Sequence, residues 1–377
     1  MAIEGLIAMW PGGARSLHST DNSKWSARVV RVRELSAADA ERWKGLCREE
    51  PSLAHPFFSY VFARAVDRVH PRAFVAVLKR DGQIVGFFPF QFDGALPMLL
   101  RAAERIGGSM SDRFGVIADN SFRMEPKKLL TLARLNSLQF SFLPDEQQHY
   151  GLSGTRTITG LHVVLSGDAD TYWTSLKKAS RKFASQVDRN ERLLEQQLGP
   201  LRMTFRADPE IELPPLIELK RAQYRRTVAD DPLAEHWTTD LFRELLQSAD
   251  PQCTGVLSTL YAGNTWLASH MGVMSEAVLH YWFPVYNRDW SRYSPGHILT
   301  KHLLLSALGA GVRFFDMAGY GQYKDHFRPE PYLYQAGFWR TEGLGGLISQ
   351  ARSSLSWRIA NLGRKYRQIT ESTSVDT

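Results

Sequence analysis

The chain has 377 residues, 44% of them hydrophobic and 23% charged, with a formal net charge of +7. These values are typical of a folded globular protein and exclude disorder throughout, and at roughly 150 residues per domain the length predicts two domains. No apolar run approaches the about 18 residues of a membrane-spanning helix, and the N-terminus lacks the pattern of a secretory signal. The positive charge favours anionic ligands such as phosphates, nucleotides, nucleic acid or acidic lipid.

Cysteine usage narrows the class further. The sequence contains only Cys47 and Cys253, and no spacing typical of a zinc site. A disulfide framework is therefore excluded, no bound metal is expected, and a reducing cytoplasm is the expected location.

Residues 1–26 show no periodic pattern, so we expect a loose leader. The clearest signal in the first half is a hairpin, because Asp81-Gly82 separates two runs of alternating apolar residues. The other elements predicted there are a strand at 28–34, a helix capped by Ser36, helices at 56–69 and about 125–136, and strands near 138–143 and 158–165.

The second half contains another hairpin, turned at Gly263-Asn264. Overlaying the two hairpins aligns Gly86 with Ala268 and Phe88 with His270, which predicts a duplicated α/β unit; the alternative is coincidence between two common hairpins. The other elements predicted there are a basic helix at about 170–196, a strand at 201–206, helices at about 213–226 and 239–248, a strand at 277–286, a helix at 296–309, a buried strand at 312–318 and a basic helix at 345–368.

A candidate anion site lies where the strand at 277–286 leads into the helix at 296–309. The N-terminus of a helix presents unpaired N–H groups and a positive dipole, which suits phosphate, although a merely well-capped helix is the alternative. The residues predicted to bind the anionic part of a cofactor are Tyr286, Arg288, Arg292, Ser294, Pro295, Gly296 and His297.

A second candidate site follows the buried strand at 312–318. Asp316 ends an apolar run, and acidic residues at strand ends often line a ligand crevice in α/β sheets. Gly319 then starts a tight turn that leads to Tyr323 and Lys324. The alternative is that Asp316 only caps this turn.

His270 and Tyr281 form the third candidate. If Ser275-Glu276 is the turn between their strands, residue 274 pairs with 277 and His270 faces Tyr281. A histidine opposite a tyrosine near an anion site suits proton transfer, although a lone strand histidine is more often a core residue.

The helix at about 170–196 carries a basic run that includes Lys178 and Arg181. This run can hold a phosphate or an acidic polymer, and the alternative is a solvated helix face.

These motifs together resemble the GNAT-superfamily acetyltransferases of the cellulose-biosynthesis (CelD-like) type. The resemblance covers about 28–340 and is carried by PFFSYVF, DGQIVGFFPF and GGSMSDRFG in the first half. In the second half it is carried by Trp173 to Lys182, Asn264 to Gly272, Tyr281 to Leu299 and Phe315 to Lys324. The family is in turn similar to the peptidoglycan-bridge aminoacyl transferases, which have two GNAT-like lobes. The compact R/Q-x-x-G-x-G/A loop of single-domain members is replaced here by Ser294-Pro295-Gly296-His297.

The resemblance implies an α/β fold with mixed sheets, built as two tandem GNAT-like acyltransferase lobes. The implied divisions are a leader at 1–26, an N-terminal lobe at 27–165, a catalytic C-terminal lobe at 166–343 and a basic helix and tail at 344–377. The implied reaction is transfer of an acyl group, an acetyl group first, from acetyl-CoA or another acyl-CoA to an amine or hydroxyl. The setting that the resemblance implies is cell-surface polysaccharide biosynthesis.

We expect His270 to act as general base, with Tyr281 as its partner or as acid to the leaving thiolate, and Asp316 to orient His270 or the acceptor. Gly319, Tyr323, Lys324, Lys178 and Arg181 would contact the substrate, a small molecule or a saccharide. The alternatives are an aminoacyl transferase that uses charged tRNA and a non-catalytic fold that binds an anionic polymer. The predicted C-terminal helix has apolar residues among five basic ones, a pattern that suits contact with an anionic membrane. Packing of this helix on the second lobe is the favoured alternative.

Overall fold

The computed structural model describes residues 15–18, 24–319, 321–343 and 345–348. The predicted basic helix at 345–368 lies outside the described residues from 349 onwards, as does most of the predicted leader. The strands are β1 (Arg15–His18), β2 (Lys24–Arg31), β3 (Ala73–Arg80), β4 (Gln83–Gln91), β5 (Ala102–Arg105), β6 (Ile117–Ala118), β7 (Ser137–Pro144), β8 (Arg156–Val164), β9 (Leu201–Thr204), β10 (Thr254–Ala262), β11 (Thr265–Met274), β12 (Val278–Tyr286), β13 (Phe314–Gly319) and β14 (Glu330–Arg340).

The helices pack on both faces of these strands. They are α1 (Ala37–Glu49), α2 (Tyr60–Val69), α3 (Ala95–Leu99), α4 (Pro126–Leu132), α5 (Ala169–Ala179), α6 (Arg181–Leu198), α7 (Pro209–Arg226), α8 (His236–Leu246) and α9 (Pro295–Gly309). Helix α1 starts where the sequence predicts, because the Ser36 side chain accepts a hydrogen bond from Asp39 N–H. Among the described residues, no helix is long and apolar enough to cross a bilayer.

All strands belong to one mixed sheet, so the fold is α/β as predicted. The order is β1-β2-β3-β4-β5-β7-β14-β8-β13-β12-β11-β10-β9, and β6 pairs with β4. Most neighbours are antiparallel, whereas β5–β7 and β12–β13 are parallel. Strand β14, late in the chain, lies between β7 and β8 of the first half and joins the two halves of the sheet.

The pairing supports the predicted duplication. Phe88 pairs with Ala76 in the first hairpin, and His270, aligned with Phe88, pairs with Ser258 in the second. The irregularity after Leu78 recurs at the matching position after Leu260. The two hairpins thus share a register and a bulge, as two copies of one unit would.

Two predicted segments differ in the structure. Part of the predicted leader is a strand, because β1 pairs with β2 along its whole length. The single helix predicted at 170–196 is broken at Ser180, which has φ −135° and ψ 51°. The break folds α5 back on α6, so that the indole N–H of Trp173 donates to Asp188 at 3.0 Å.

Candidate active site

The site begins where two parallel strands separate. Strand β12 pairs with β13 only from Val278–Phe314 to His280–Asp316, and beyond this point the strands diverge. Strand β12 also carries an irregularity: Met271 pairs with Phe283, but Val273 pairs with His280. The extra residue in β12 lies opposite Gly272, where an added Cβ would come within 2.4 Å of the His270 ring. The divergence opens a cleft between β12 and β13.

A cavity of about 390 Å³ lies beside the part of β12 that has left β13, and Tyr323, from the segment that follows β13, is in its wall. Helix α9 begins at its wall, after Ser294 in the left-handed region (φ 51°, ψ 55°). The cavity is lined by Lys220, Gln223, Tyr281, Pro284, Val285, Tyr286, Ser291, Ser294, Pro295, Gly296, His297, Leu299 and Tyr323. An N-terminal turn with a glycine and two serines presents N–H and hydroxyl donors, so this wall suits an anionic group.

A buried polar network lies at the point where β12 and β13 part. Asp316 Oδ2 accepts hydrogen bonds from His55 Nε2, Arg113 Nη2 and His280 Nδ1, each at 3.0 Å. Its Oδ1 accepts from Tyr332 O–H at 2.8 Å and Ala318 N–H at 3.0 Å. The carboxylate is therefore fully hydrogen-bonded although it is 2% exposed.

Charge in this network is balanced by close opposite partners. Burial alone would raise the pKa of Asp316, but the Arg113 guanidinium and His280 outweigh it and hold this pKa well below its usual range. Burial likewise opposes the charged form of His280, yet Asp316 and Asp112 outweigh it and raise the His280 pKa. The second ring nitrogen of His280, Nε2, lies 3.0 Å from Asp112 Oδ2. His280 thus lies between two carboxylates, which favour its charged form.

Both halves of the chain contribute to this network. His55, Asp112 and Arg113 come from loops and 3-10 turns of the first half, whereas His280 and Asp316 come from β12 and β13. The Asp112 side chain is 18% exposed, more than any other carboxylate or imidazole in the network. Asp112 is therefore the most exposed carboxylate of the network.

His55, His280 and Asp316 offer ligand atoms within 4.8 Å of one another, a set that can bind a metal ion. Their contacts fit a metal poorly. Arg113 places a cation 3.0 Å from Asp316 Oδ2. His55 Nδ1 accepts from Phe57 N–H at 3.4 Å, so its Nε2 carries the proton and donates to Asp316 instead of a lone pair to a metal. We interpret the cluster as a hydrogen-bonded network.

The register predicted for His270 and Tyr281 is wrong, although the two side chains touch. His270 pairs with Pro284, because the turn is longer than predicted, with Met274 opposite Leu279, and because β12 bulges. The two rings still stack, with centroids 5.0 Å apart. Tyr281 lines the cavity, whereas His270 does not.

His270 lies in a setting that keeps it neutral. It is 0% exposed, and burial, with the nearby charge of His280, lowers its pKa to about 3. Its Nε2 lies 3.4 Å from Trp282 N–H, in the bulged part of β12, and accepts from it. This geometry supports a role in fixing the bulge.

The other predicted residues divide between the cavity wall and its surroundings. Tyr286, Ser294, Pro295, Gly296, His297 and Tyr323 line the cavity, whereas Arg288, Arg292, Lys178, Arg181, Gly319 and Lys324 are not among its lining residues. The Lys324 ammonium donates to the carbonyls of Met317 at 2.6 Å and Gly319 at 2.5 Å, which fixes the turn after β13.

Sequence reasoning missed five network residues: His55, Asp112, Arg113, His280 and Tyr332. Asp112 and Arg113 lie in GGSMSDRFG, a segment that carried the resemblance without an assigned role. His280 precedes Tyr281 in a run whose pattern predicts only a strand. A charged pair in a loop otherwise rich in glycine and serine was the available signal.

The chain is similar to a known protein family and to several solved structures. Residues 181–328 match the family described as the acetyltransferase (GNAT) domain. Comparison with curated protein sequences finds no match. FemX is similar in structure, with a TM-score of 0.57 and 11% identity over 86% of this chain and 99% of that chain. A tandem GNAT protein from the clavulanic acid biosynthesis pathway has a TM-score of 0.48 and 13% identity over 84% and 97%. The chain therefore has a fold similar to that of FemX, and residues 181–328 are similar to a GNAT acetyltransferase domain.

Proposed function

We propose that the chain transfers an acyl group from an acyl-coenzyme A thioester to an amine or hydroxyl acceptor. The observation that carries this proposal is the cleft between β12 and β13. One wall of the cleft is the N-terminus of α9, and a buried network with two carboxylates lies where the strands part. The phosphate-bearing carrier of a thioester needs an anion site, which the N-terminus of α9 would supply. The acceptor must lose a proton and so needs a base, which a carboxylate of the network would supply.

The donor would lie along β12. Its pyrophosphate would contact the first turn of α9 at Gly296, where an added Cβ would approach only Tyr286, at 3.6 Å. The amides of its pantetheine arm would extend along the free edge of β12, as a peptide does when it adds to a sheet. The thioester would then reach Tyr281.

The acceptor would lose its proton to Asp112. As the acceptor nitrogen or oxygen attacks the thioester carbonyl, its proton passes to the Asp112 carboxylate, which His280 holds in place. Collapse of the tetrahedral intermediate breaks the carbon–sulfur bond and releases the thiolate. Burial raises the pKa of Tyr281, so its hydroxyl stays protonated and can donate a hydrogen bond to that thiolate. The thiolate then takes up a proton from solvent, and Asp112 returns its proton to solvent. We therefore propose Asp112, whose side chain is 18% exposed, as the base instead of the fully buried His270.

The acceptor and setting follow from the resemblance. We propose a saccharide or another small molecule with a free amine or hydroxyl, and a role in cell-surface polysaccharide biosynthesis. We also propose that the protein acts in the cytoplasm; its cysteines, Cys47 and Cys253, are both buried and unpaired.

The donor site is tested by calorimetry with acetyl-CoA. Gly296→Asp places a negative charge beside the proposed pyrophosphate, and we expect at least tenfold weaker binding. Gly309→Asp is the matched control, since it adds the same charge to the opposite end of α9, where a Cβ meets nothing within 4 Å. Equal affinities of the two variants would contradict the proposed donor site.

A second candidate donor is a charged tRNA. Arg181 and Lys182 are exposed beside Phe183, whose ring packs 5.2 Å from that of His297 in the cavity wall. A basic surface next to the cleft suits a polyanionic carrier. Tight RNA binding that weakens steeply with salt, together with no binding of acetyl-CoA, would favour this donor. RNA binding without transfer of an acyl group would favour a non-catalytic fold that binds an anionic polymer.

A further inference from the structure

Lys220 is a buried lysine in the wall of the donor cavity. It lies on α7 and is 6% exposed. Its Nζ donates to the carbonyl of Pro284 in β12 at 2.8 Å and to Gln223 Oε1 at 3.2 Å, and it lies 5.3 Å from the centre of the Tyr224 ring. All of these partners are uncharged groups.

The charge of Lys220 has no counter-ion in the part of the chain that the structure describes, where no carboxylate oxygen lies within 4.0 Å of its Nζ. Lys301, comparably buried, shows the usual arrangement: its Nζ lies 2.9 Å from Asp188 and 2.5 Å from Glu191. Burial without such a partner lowers the pKa of Lys220 to about 8. A buried cation that lacks an anion is costly, which marks this wall as a place for a charged ligand.

Lys220 and Gln223 face the same cavity as the first turn of α9, but from a different element. Because the Gln223 amide oxygen accepts from Lys220, its two N–H groups remain as donors beside the ammonium. An ammonium and an amide side by side match the two oxygens of a carboxylate.

We propose that Lys220 and Gln223 bind a carboxylate carried by the acyl group, so that the preferred donor is a thioester of a dicarboxylic acid. The inference rests on the proposed function, which assigns the donor to this cavity. The donor's phosphates would occupy the α9 wall at Gly296, so the anion that meets Lys220 is a second one. An acetyl group has no carboxylate, whereas a succinyl group has one beyond the reacting carbonyl.

Calorimetry with succinyl-CoA and acetyl-CoA tests the proposal. A hydrogen bond to a charged group changes affinity about tenfold or more, so we expect the wild type to bind succinyl-CoA at least about tenfold more tightly. Lys220→Met should bring this ratio close to one, whereas Lys220→Arg should retain a preference for succinyl-CoA. Lys79→Met, which removes a lysine from β3 in the first half, is the control and should keep the wild-type ratio.

Equal binding of the two esters by the wild type, or a preference that survives in Lys220→Met, would overturn the proposal. If Lys220→Met fails to fold, Gln223→Leu takes its place, and an unchanged ratio there has the same consequence.

Failure of the proposed function gives a different result. If neither coenzyme A ester binds, the assignment of the donor is wrong, and binding of S-succinyl- and S-acetyl-N-acetylcysteamine, which lack the nucleotide, is compared by ligand-observed NMR. A preference for the succinyl thioester that Lys220→Met abolishes supports the carboxylate site by itself. No preference overturns it.

Discussion

Replacing Asp316 by asparagine tests whether the buried network holds the two halves of the site together. The substitution keeps the size of the side chain and removes its charge. It leaves the Arg113 guanidinium, which donates to Asp316 Oδ2 at 3.0 Å and whose side chain is 10% exposed, buried without its carboxylate. It also puts an amide N–H group where donors from His55, His280 or Tyr332 now point.

The expected loss follows from these contacts. Removing one partner of a buried ion pair costs about 3–5 kcal/mol, since the remaining charge stays desolvated. At about 2.1 cal/mol/K per residue, a cooperative transition of 377 residues has an unfolding entropy near 0.8 kcal/mol/K. The melting temperature of Asp316→Asn should therefore fall by about 4–6 °C.

Two measurements check this prediction. Differential scanning calorimetry gives the melting temperature, and NMR of histidine-labelled protein gives the pKa of His280, which should fall once one of its two flanking carboxylates is gone. Asp240→Asn is the control, because Asp240 forms only an exposed pair with Arg243 and should lie within about 0.5 kcal/mol of wild type. If Asp316→Asn melts within about 1 °C of wild type, or if the His280 pKa does not move, Asp316 is not the anchor of the network.

The remaining predictions concern acid stability and the β12 bulge. Burial lowers the pKa of His55 and His270 to about 3 in the folded chain. Below about pH 6.5 these two imidazoles are therefore protonated in the unfolded chain but stay neutral in the folded chain. Well below pH 6.5 each such group removes about 1.4 kcal/mol of stability per pH unit as the pH falls, and His70, whose pKa is lowered to about 4, adds another. The raised pKa of His280 contributes stability that is fully present below about pH 6.5, so it leaves this slope unchanged. Urea melts between pH 7 and 5 should thus show falling stability, and a flat profile would contradict it. Gly272→Ala should destabilise the protein by about 1–3 kcal/mol in the same urea assay, because its Cβ would meet the His270 ring at 2.4 Å and the His280 carbonyl at 2.5 Å; Gly309→Ala, in open space, is its control.

Local patterns were sufficient to predict most of the fold. Asp81-Gly82 and Gly263-Asn264 each end up in a hairpin turn, and Ser36 caps α1, because these signals act within a few residues. The overlay of Phe88 on His270 was also informative, since both the pairing partner and the bulge recur in the two hairpins. The break at Ser180 was not predictable in this way, because what stabilises it is a contact between Trp173 and Asp188 on two different helices.

The candidate site could be predicted only where it is built from contiguous residues. The α9 wall, from Tyr286 to His297, is one such stretch, and six of its predicted or neighbouring residues do line the cavity. The proposed proton-transfer network is not built from contiguous residues, since Asp112 and His280 are brought together by the packing of the first half on the second. Choosing between His270 and His280 required the register of β12, where a longer turn and one extra residue change which imidazole meets a carboxylate. A histidine's chemistry depends on that partner: His280 has two carboxylates and a raised pKa, while His270 is equally buried but has only a backbone N–H and a pKa near 3.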